Sequence, residues 1–366
     1  MGLQCGIVGL PNVGKSTLFS ALTRTMAASA NYPFCTIDPN VGVVNVPDHR
    51  LDSLASIFQS QSVLPAIVEF LDIAGLVKGA SLGEGLGNQF LGHIRQTQAI
   101  AQVVRCFDDP DIIHVHGKVS PIDDLEVIAI ELALKDLETV EKKLATLAKN
   151  EKGQNKEMAA QAKAMRPVLE KLQEQLKNGL YQLDSQEEEI IKDLQLLRSK
   201  KQMIVCNVDE ANLNNLNNPH VLAVKEYASK RNLEVAIISA QVEKDISLLE
   251  SADERAEFLK ELGITQSGVD QLIQKAYSLL GLQTFFTAGP KEARAWTIKR
   301  GTPAPLAASE IHSDIQRGFI KAEVYQVKDI IQHGSEAKLK EKGLIRIEGK
   351  EYIVQDGDVI HFRFNV

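Results

Sequence analysis

The stretch GLPNVGKST, Gly9 to Thr17, sets two glycines, a lysine and two hydroxyls in the spacing GxxxxGK[ST]. That pattern suits a loop between a strand and a helix whose backbone N–H groups gather around phosphate. The expected phosphate-binding residues are Asn12, Val13, Gly14, Lys15, Ser16 and Thr17. Gly14 permits close approach of the backbone, Lys15 places a point charge on the β- and γ-oxygens, and the Ser16 hydroxyl can ligate Mg2+. DIAG, Asp72 to Gly75, follows the apolar run Ile67–Leu71. A strand-end Asp72 can hold the metal through water, and the Gly75 N–H can sense the γ-phosphate. Thr36, in FCTIDPN, lies where a loop between the two motifs could add a second hydroxyl. The expected metal set is therefore Ser16, Thr36 and Asp72, with Lys15 and Gly75 acting on the reacting phosphate. Five glycines follow from Gly75 to Gly87, the pattern of a switch segment ordered by nucleotide.

A second polar loop, IVCNVDE, runs from Ile204 to Glu210. In a guanine-nucleotide switch it would read Asn-Lys-x-Asp, with the Asp carboxylate accepting from guanine N1–H and N2–H2. Adenine presents an acceptor at N1, so a fixed Asp would be left unpaired there. Here Val208 replaces the Lys stem that flanks the base, and Glu210 replaces the Asp with one more methylene. Asn207 remains able to meet the N6/N7 edge. The guanine reader is dismantled, leaving ATP, or a GTPase with loosened specificity. Hydrolysis shows another departure: Leu76 follows DIAG where many switch GTPases carry a water-orienting Gln. Turnover should be slow unless another group places the water, and His114, in IIHVHGKVSPIDD, is the first side-chain candidate, ahead of His116.

These loops need a scaffold. Gln4–Val8, Ile67–Leu71 and Ala101–Phe107 read as buried strands; Lys15–Arg24 and Leu86–Gln98 read as helices. Such alternation implies an α/β, doubly wound sheet. From Asp123 to Arg198 the pattern is helical. Leu137, Val140, Leu144 and Leu147 step by 3, 4, 3, while Met165, Leu169, Leu172 and Leu176 step by 4, 3, 4, the seams of an antiparallel hairpin. The strand pattern resumes only at Gln202–Cys206, roughly three times the ~30 residues that one crossover needs, so the hairpin is an insertion. Pro219–Lys230, Val235–Ser239 and a helical Glu250–Leu280 complete the sheet domain.

From Gly281 prolines multiply, and short strands are expected at Ala295–Ile298, Ala322–Val327, Tyr352–Val354 and Val359–Phe364, with one helix near Ala307–Arg317. The expected domains are NTPase 1–122 and 199–280, inserted hairpin 123–198, and an α+β domain 281–366. That last part carries 13 Lys and Arg against 11 Asp and Glu, while the whole chain of 366 residues is at −7. A broad basic nucleic-acid coat is excluded, though Lys291, Arg294, Lys299 and Arg300 surround Trp296 as a local RNA candidate. Hydrophobic residues at 44% and charged residues at 24% are ordinary for a globular chain, and no apolar run nears the ~18 residues of a membrane span. The Met-Gly start lacks Ser or Thr at residue 6, against myristoylation. Cys5, Cys35, Cys106 and Cys206 stand apart with no CxxC pairing, as buried thiols of a reducing cytoplasm would.

GLPNVGKST, YPFCTIDPN, DIAGLVKGASLGEGLGNQFL and NVDE together resemble the YchF branch of the Obg-like P-loop NTPases. EARAWTIKRGTPAPLAASEIHSDIQRGFIKAEV and YIVQDGDVIHFRFNV look like that family's TGS domain, a ubiquitin-like β-grasp. The likeness covers essentially the whole chain. It implies a cytoplasmic, translation-associated ATPase that binds the ribosome (the large subunit, with RNA contacts through the TGS-like domain), uses Mg2+ and touches no membrane. His114 resembles a functional histidine of the family, and Asn12 the K+-coordinating residue of related NTPases. Two other classes compete. A P-loop kinase would need an Arg-bearing lid, whereas the glycine-rich segment here follows DxxG. In an RNA- or ribosome-binding scaffold, nucleotide would be only a ligand and hydrolysis vestigial, as Leu76 allows.

Overall fold

The computed structural model describes residues 4–24, 40–73, 86–115, 117–151, 155–215 and 217–365. Among them the chain forms two compact units. The first holds the described residues up to Gly42 together with Glu69–Val269; the second holds Val43–Val68 and Asp270–Val366.

β1 (Gln4–Val8), β2 (Val41–Asn45), β4 (Ile67–Asp72), β5 (Ala99–Arg105), β6 (Lys201–Asn207) and β7 (Glu234–Ile238) form a sheet of order β2-β4-β1-β5-β6-β7, all of it counted with the first unit except Val43–Asn45 of β2 and Ile67–Val68 of β4. β1 pairs in parallel with β4 and β5, β5 with β6, and β6 with β7. Every residue of β5 is buried, the polar Gln102 and Arg105 included, as in a strand covered on both faces. Gly6 lets the Ile73 side chain, just past β4, close in, since a Cβ there would meet Ile73 Cδ1 at 2.7 Å. The crossovers are α1 (Lys15–Arg24), α3 (Leu86–Gln96) and α7 (Pro219–Arg231), with a short α6 (Ser185–Ile191) ahead of β6, while α2 (His49–Phe58) belongs to the second unit. No helix among the described residues is long and apolar enough to cross a membrane.

Between β5 and β6 stand α4 (Pro121–Asn150) and α5 (Lys156–Lys177), the inserted hairpin. Pro121 at the first helical position and Asp123 and Asp124 in the first turn suit the N-terminus of α4. Asn155 caps α5 by accepting from the amides of Glu157 and Met158. All eight seam residues expected from the sequence lie in one apolar cluster: Val140, Leu147, Leu169, Leu172 and Leu176 are buried, with Leu137, Leu144 and Met165 packed against them. At the base, the fully buried Asp136 of α4 accepts from Leu197 N and Arg198 N, both at 2.8 Å. This carboxylate fixes the returning chain, and Lys200 beyond it donates to Arg95 O at 3.0 Å.

In the second unit, β3 (Ser62–Leu64), β8 (Leu282–Ala288), β9 (Glu292–Lys299), β10 (Phe319–Gln326), β11 (Arg346–Glu348) and β12 (Asp358–Phe364) form a sheet of order β11-β10-β12-β8-β9-β3. β10 pairs antiparallel with β11 and β12, and β8 with β9, whereas β12 runs parallel to β8 and β3 parallel to β9. Phe285, Phe319 and Phe362 meet edge to face in its core, covered by the alanines Ala304, Ala307 and Ala308. This is the α+β β-grasp. Tyr352–Val354 makes only an isolated bridge, Pro303 to Ile353, and not a strand. The single helix expected near Ala307–Arg317 is two, Ala304–Ile311 and Ser313–Arg317, because His312 is extended and caps the second through Asp314 N.

The sequence division counts residues 43–68 with the NTPase domain, yet this segment joins the β-grasp unit. β3 pairs in parallel with β9, Ser60 Oγ donates to Gly289 O at 2.8 Å, and Arg50 bridges Asp48 at 2.7 Å and Asp356 at 2.6 Å. The backbone groups of a three-residue strand find their partners only there.

Asp136 supplies a local test. Burial pushes its carboxyl up to about 6, against the lowering effect of the Leu197 and Arg198 amides. The folded chain therefore binds a proton between about 3.8 and 6 that the unfolded chain has lost, and this contribution to stability declines as pH rises through that window. Asp136→Ala removes that slope. It also orphans two buried N–H groups, at a cost of about 2–4 kcal/mol. Amide exchange at Leu197 and Arg198 should accelerate; unchanged protection would mean that the carboxylate does not hold the hairpin base.

Candidate nucleotide-binding site

Loops at the carboxyl ends of β1, β5, β6 and β7 converge, where ligands bind in open parallel sheets. The phosphate loop leaves β1 through Asn12 at φ 64° and Gly14 at φ 93°, and α1 starts at Lys15. Lys15 is buried and its ammonium pairs with the Asp72 carboxylate, which brings one expected phosphate residue beside one expected metal residue. Ser16 presents an exposed hydroxyl at the helix start and Thr17 lines the adjoining cleft.

Asn207, the last residue of β6, ties the site together. Its Nδ2 donates to Val13 O at 2.9 Å, and its Oδ1 accepts from Ala240 N at 2.9 Å. A Cβ at Gly14 would collide with that Nδ2, so Gly14 answers to Asn207 as well as to its positive φ. Val208 is buried in the core between β6 and α7, and its amide donates to Ile238 O at 2.8 Å. Glu210 is exposed at the head of a short 3-10 turn that Asp209 caps through Asn212 N at 2.9 Å.

A cleft of about 530 Å³ opens between these loops, walled on one side by Phe107, Asp108, Asp109 and Ile112 and on the other by Val208–Glu210 and Ser239–Gln241. The sequence reading missed Phe107–Ile112 and Ser239–Gln241. Both follow strands, and the carboxyl-edge rule for parallel sheets was the signal that could have found them.

His114 is not in this cleft wall. It is buried, with Nε2 3.0 Å from Asp124 Oδ2 at the start of α4. Its neighbour Ile113 offers its carbonyl to Asn12 Nδ2 at 3.1 Å, which puts the phosphate loop one residue from the histidine. Thr36, Gly75, Leu76, His116, Cys35 and the glycine-rich segment through Gly85 lie outside the described residues. The other three thiols are free and buried; burial pushes Cys5 up to about 12, and a hydrogen bond that the Cys106 thiol donates to Cys206, together with burial, raises Cys106. They are inert structural groups.

No group of three His, Cys, Asp or Glu among the described residues could hold a metal. A cation here would take Ser16 and Asp72 oxygens and rely on phosphate for the rest. Such hard, incomplete oxygen sets fit Mg2+, which keeps waters and bridges substrate phosphates. In the second unit the Lys291–Arg300 group does not cluster. β9 is extended, so Lys291 and Arg300 stand at opposite ends, on the order of 30 Å apart. Trp296 is partly buried, with Arg294 3.9 Å over its ring, Phe285 stacked at 6.3 Å and Thr287 Oγ1 accepting from its indole at 2.9 Å.

Two family models match the chain. One, described as a 50S ribosome-binding GTPase, matches residues 4–151. The other, the YchF-GTPase C-terminal model, described as a protein of unknown function, matches residues 282–365. The ribosome-binding ATPase YchF of Bacillus subtilis (strain 168) is 51% identical over 367 residues, covering 100% of both chains. Its counterpart in Escherichia coli O157:H7 is 52% identical over 370 residues, again 100% of both. The solved YchF GTPase of Schizosaccharomyces pombe superposes with a TM-score of 0.88 at 38% identity, over 99% of this chain and 98% of that one. A GTP-binding protein from Pyrococcus horikoshii OT3, at 19% identity and a TM-score of 0.61, shares the fold.

Gly14 and Asn207 act through one contact, which a double-mutant cycle can isolate. Gly14→Ala forces the loop out of its path, and Asn207→Ala orphans Val13 O and Ala240 N. Each should weaken nucleotide affinity about tenfold or more. The double variant should lose clearly less than the product of the two, because both changes break the same tether. Titration of a fluorescent nucleotide reads this out; fully multiplicative losses would show that the residues act independently.

Proposed function

The chain belongs to the YchF family of P-loop NTPases, and from that premise we propose that it is a Mg2+-dependent ATPase that turns over slowly and serves as a ribosome-associated, translation-linked switch. The observation that carries the base preference is the state of the Asn207–Glu210 loop. Asn207 spends one amide hydrogen on Val13 O and keeps the other for a purine N7, an acceptor that both purines share. Discrimination then falls to residues 208–210. Val208 is committed to the core, Asp209 to Asn212, and Glu210 stands exposed, so no fixed carboxylate waits for guanine N1–H and N2–H2.

In this reading Lys15 exchanges its Asp72 partner for phosphate oxygens as a triphosphate enters, which frees the carboxylate to face a cation. Ser16, Asp72 and Thr36 would hold Mg2+, which, when bound, would neutralise charge on the β- and γ-phosphates. The Gly75 N–H would meet the γ-phosphate. Asn12 offers the carboxamide oxygen that a K+ would take. His114 is the candidate for placing the attacking water, with its Nε2 facing Asp124.

ATP should bind more tightly than GTP, and Val208→Lys with Glu210→Asp should recover some guanine preference. Calorimetric titration of both nucleotides against one preparation decides it. Equal or tighter GTP binding in the unmodified chain would make Glu210 a loosened guanine reader and the protein a GTPase.

His114→Ala should lower the single-turnover rate severalfold below an already slow wild type while leaving the ATP dissociation constant nearly unchanged. An unchanged rate returns His114 to a structural role beside Asp124. No turnover at all in the wild type, with or without ribosomes, would favour a scaffold that uses nucleotide as a ligand.

Ribosome association is supported by the names of the full-length relatives, and the 50S ribosome-binding family model favours the large subunit. A cytoplasmic location follows from that partner. The exposed Lys291, Lys299 and Arg300 of the β-grasp unit are the groups proposed to meet RNA phosphates; Trp296 is engaged in packing. Co-sedimentation with ribosomes should fall steeply with salt as counterions return to the phosphates. Pelleting that is insensitive to salt, or to neutralising those three residues, would count against RNA contact through this unit.

A further inference from the structure

Arg105 ends β5 and is among the largest fully buried side chains, at 1% exposure. A buried guanidinium is costly unless its donors are met. Each of its nitrogens is aimed at a main-chain carbonyl of the loop that follows. Nε donates to Phe107 O at 3.0 Å, Nη2 to Asp109 O at 3.0 Å and Nη1 to Ile112 O at 2.8 Å. The guanidinium carbon lies 4.7 Å from the centre of the Phe107 ring. Phe107, Asp109 and Ile112 all line the cleft. Across the sheet, Arg105 stands in register with Asn207, whose loop forms the opposite wall.

We propose that Arg105 is a positioning residue that sets the base specificity of the cleft. It does so by holding Phe107–Ile112 in a single path against Asn207–Glu210. The inference rests on reading this cleft as the seat of the nucleotide base. Arg105 touches no ligand-facing surface itself; it acts from behind, through three carbonyls that a rigid planar fork can span at once. A lysine ammonium is a point donor and cannot span the same three directions. Without the fork those carbonyls turn to water, the wall samples several conformations, and a base must order it on binding. The phosphate loop is held by Asn207 on Val13 O; its tie to this wall, Asn12 Nδ2 on Ile113 O, lies one residue beyond the last carbonyl that Arg105 holds, and none of the described hydrogen bonds of Arg105 reaches the loop itself. Base recognition and phosphate recognition should therefore separate in Arg105 variants.

The full-length chain, Arg105→Lys and Arg105→Met are titrated with ATP, GTP and inorganic tripolyphosphate in the presence of Mg2+. Each variant should lose about tenfold or more in affinity for the preferred nucleotide, and the ATP/GTP ratio should narrow toward one. Tripolyphosphate affinity should stay within about twofold of wild type, which also shows that the phosphate loop is folded. Equal losses on nucleotide and tripolyphosphate in both variants overturn the proposal, since Arg105 would then only support the domain. A base preference that survives intact in both variants overturns it as well. A wild-type chain that binds ATP no more tightly than tripolyphosphate fails differently: the cleft then holds no base, and the reading beneath the inference falls with it.

Discussion

The site depends on one carboxamide. Asn207 closes β6, donates to the phosphate loop at Val13 O and accepts from Ala240 N, the first residue of the helix Ala240–Ile246 that follows β7. Three segments far apart in sequence thus share two buried hydrogen bonds, in a place where an unmet donor or acceptor costs ~1–3 kcal/mol. Gly14 is the counterpart of that constraint. Its missing Cβ is what lets the carboxamide lie against the loop. The loops proposed to take phosphate and base are linked by geometry, because a single side chain sets the distance between them.

The cleft's other wall is held by a different device. Where Asn207 ties loop to loop, Arg105 folds one loop over its own guanidinium, from Phe107 to Ile112. Just beyond, Ile113 O meets Asn12, and His114 meets Asp124 at the foot of the hairpin. The same helix carries Asp136, which secures the returning chain at Leu197 and Arg198. The inserted hairpin is therefore not an independent appendage. Its first helix borders the site at one end and is fastened to the sheet domain by a buried carboxylate.

Connectivity links the two units. The chain leaves the first unit after Gly42, completes α2 and β3 within the second, and re-enters at Glu69, three residues before Asp72. Arg50, with Asp48, Asp356 and the Phe286 ring 5.2 Å away, anchors that excursion inside the β-grasp unit. The segment between the expected metal residues Thr36 and Asp72 is thus built largely of β-grasp structure.

Much was legible in the residues themselves. The phosphate loop, the seams of the hairpin and the order of strand and helix around the sheet are local patterns, each fixed by spacing within a few turns of chain. Val208 and Glu210 departed from the guanine pattern visibly, one residue at a time. What the sequence could not reveal is who satisfies whom. That Asn207 bonds Val13 and Ala240, that Arg105 serves three carbonyls, and that Lys15 and Asp72 pair are facts about residues up to 194 positions apart. The short strand β3 carries no strong pattern, since its register is set by β9 more than 200 residues later. Lys291 to Arg300 looked like a cluster because sequence proximity was taken for spatial proximity, and an extended strand spreads its ends. Local spacing determined the chemistry on offer. Only the tertiary structure decided which polar groups are already spent, because burial makes every donor and acceptor find a partner, and the partners are distant in the chain.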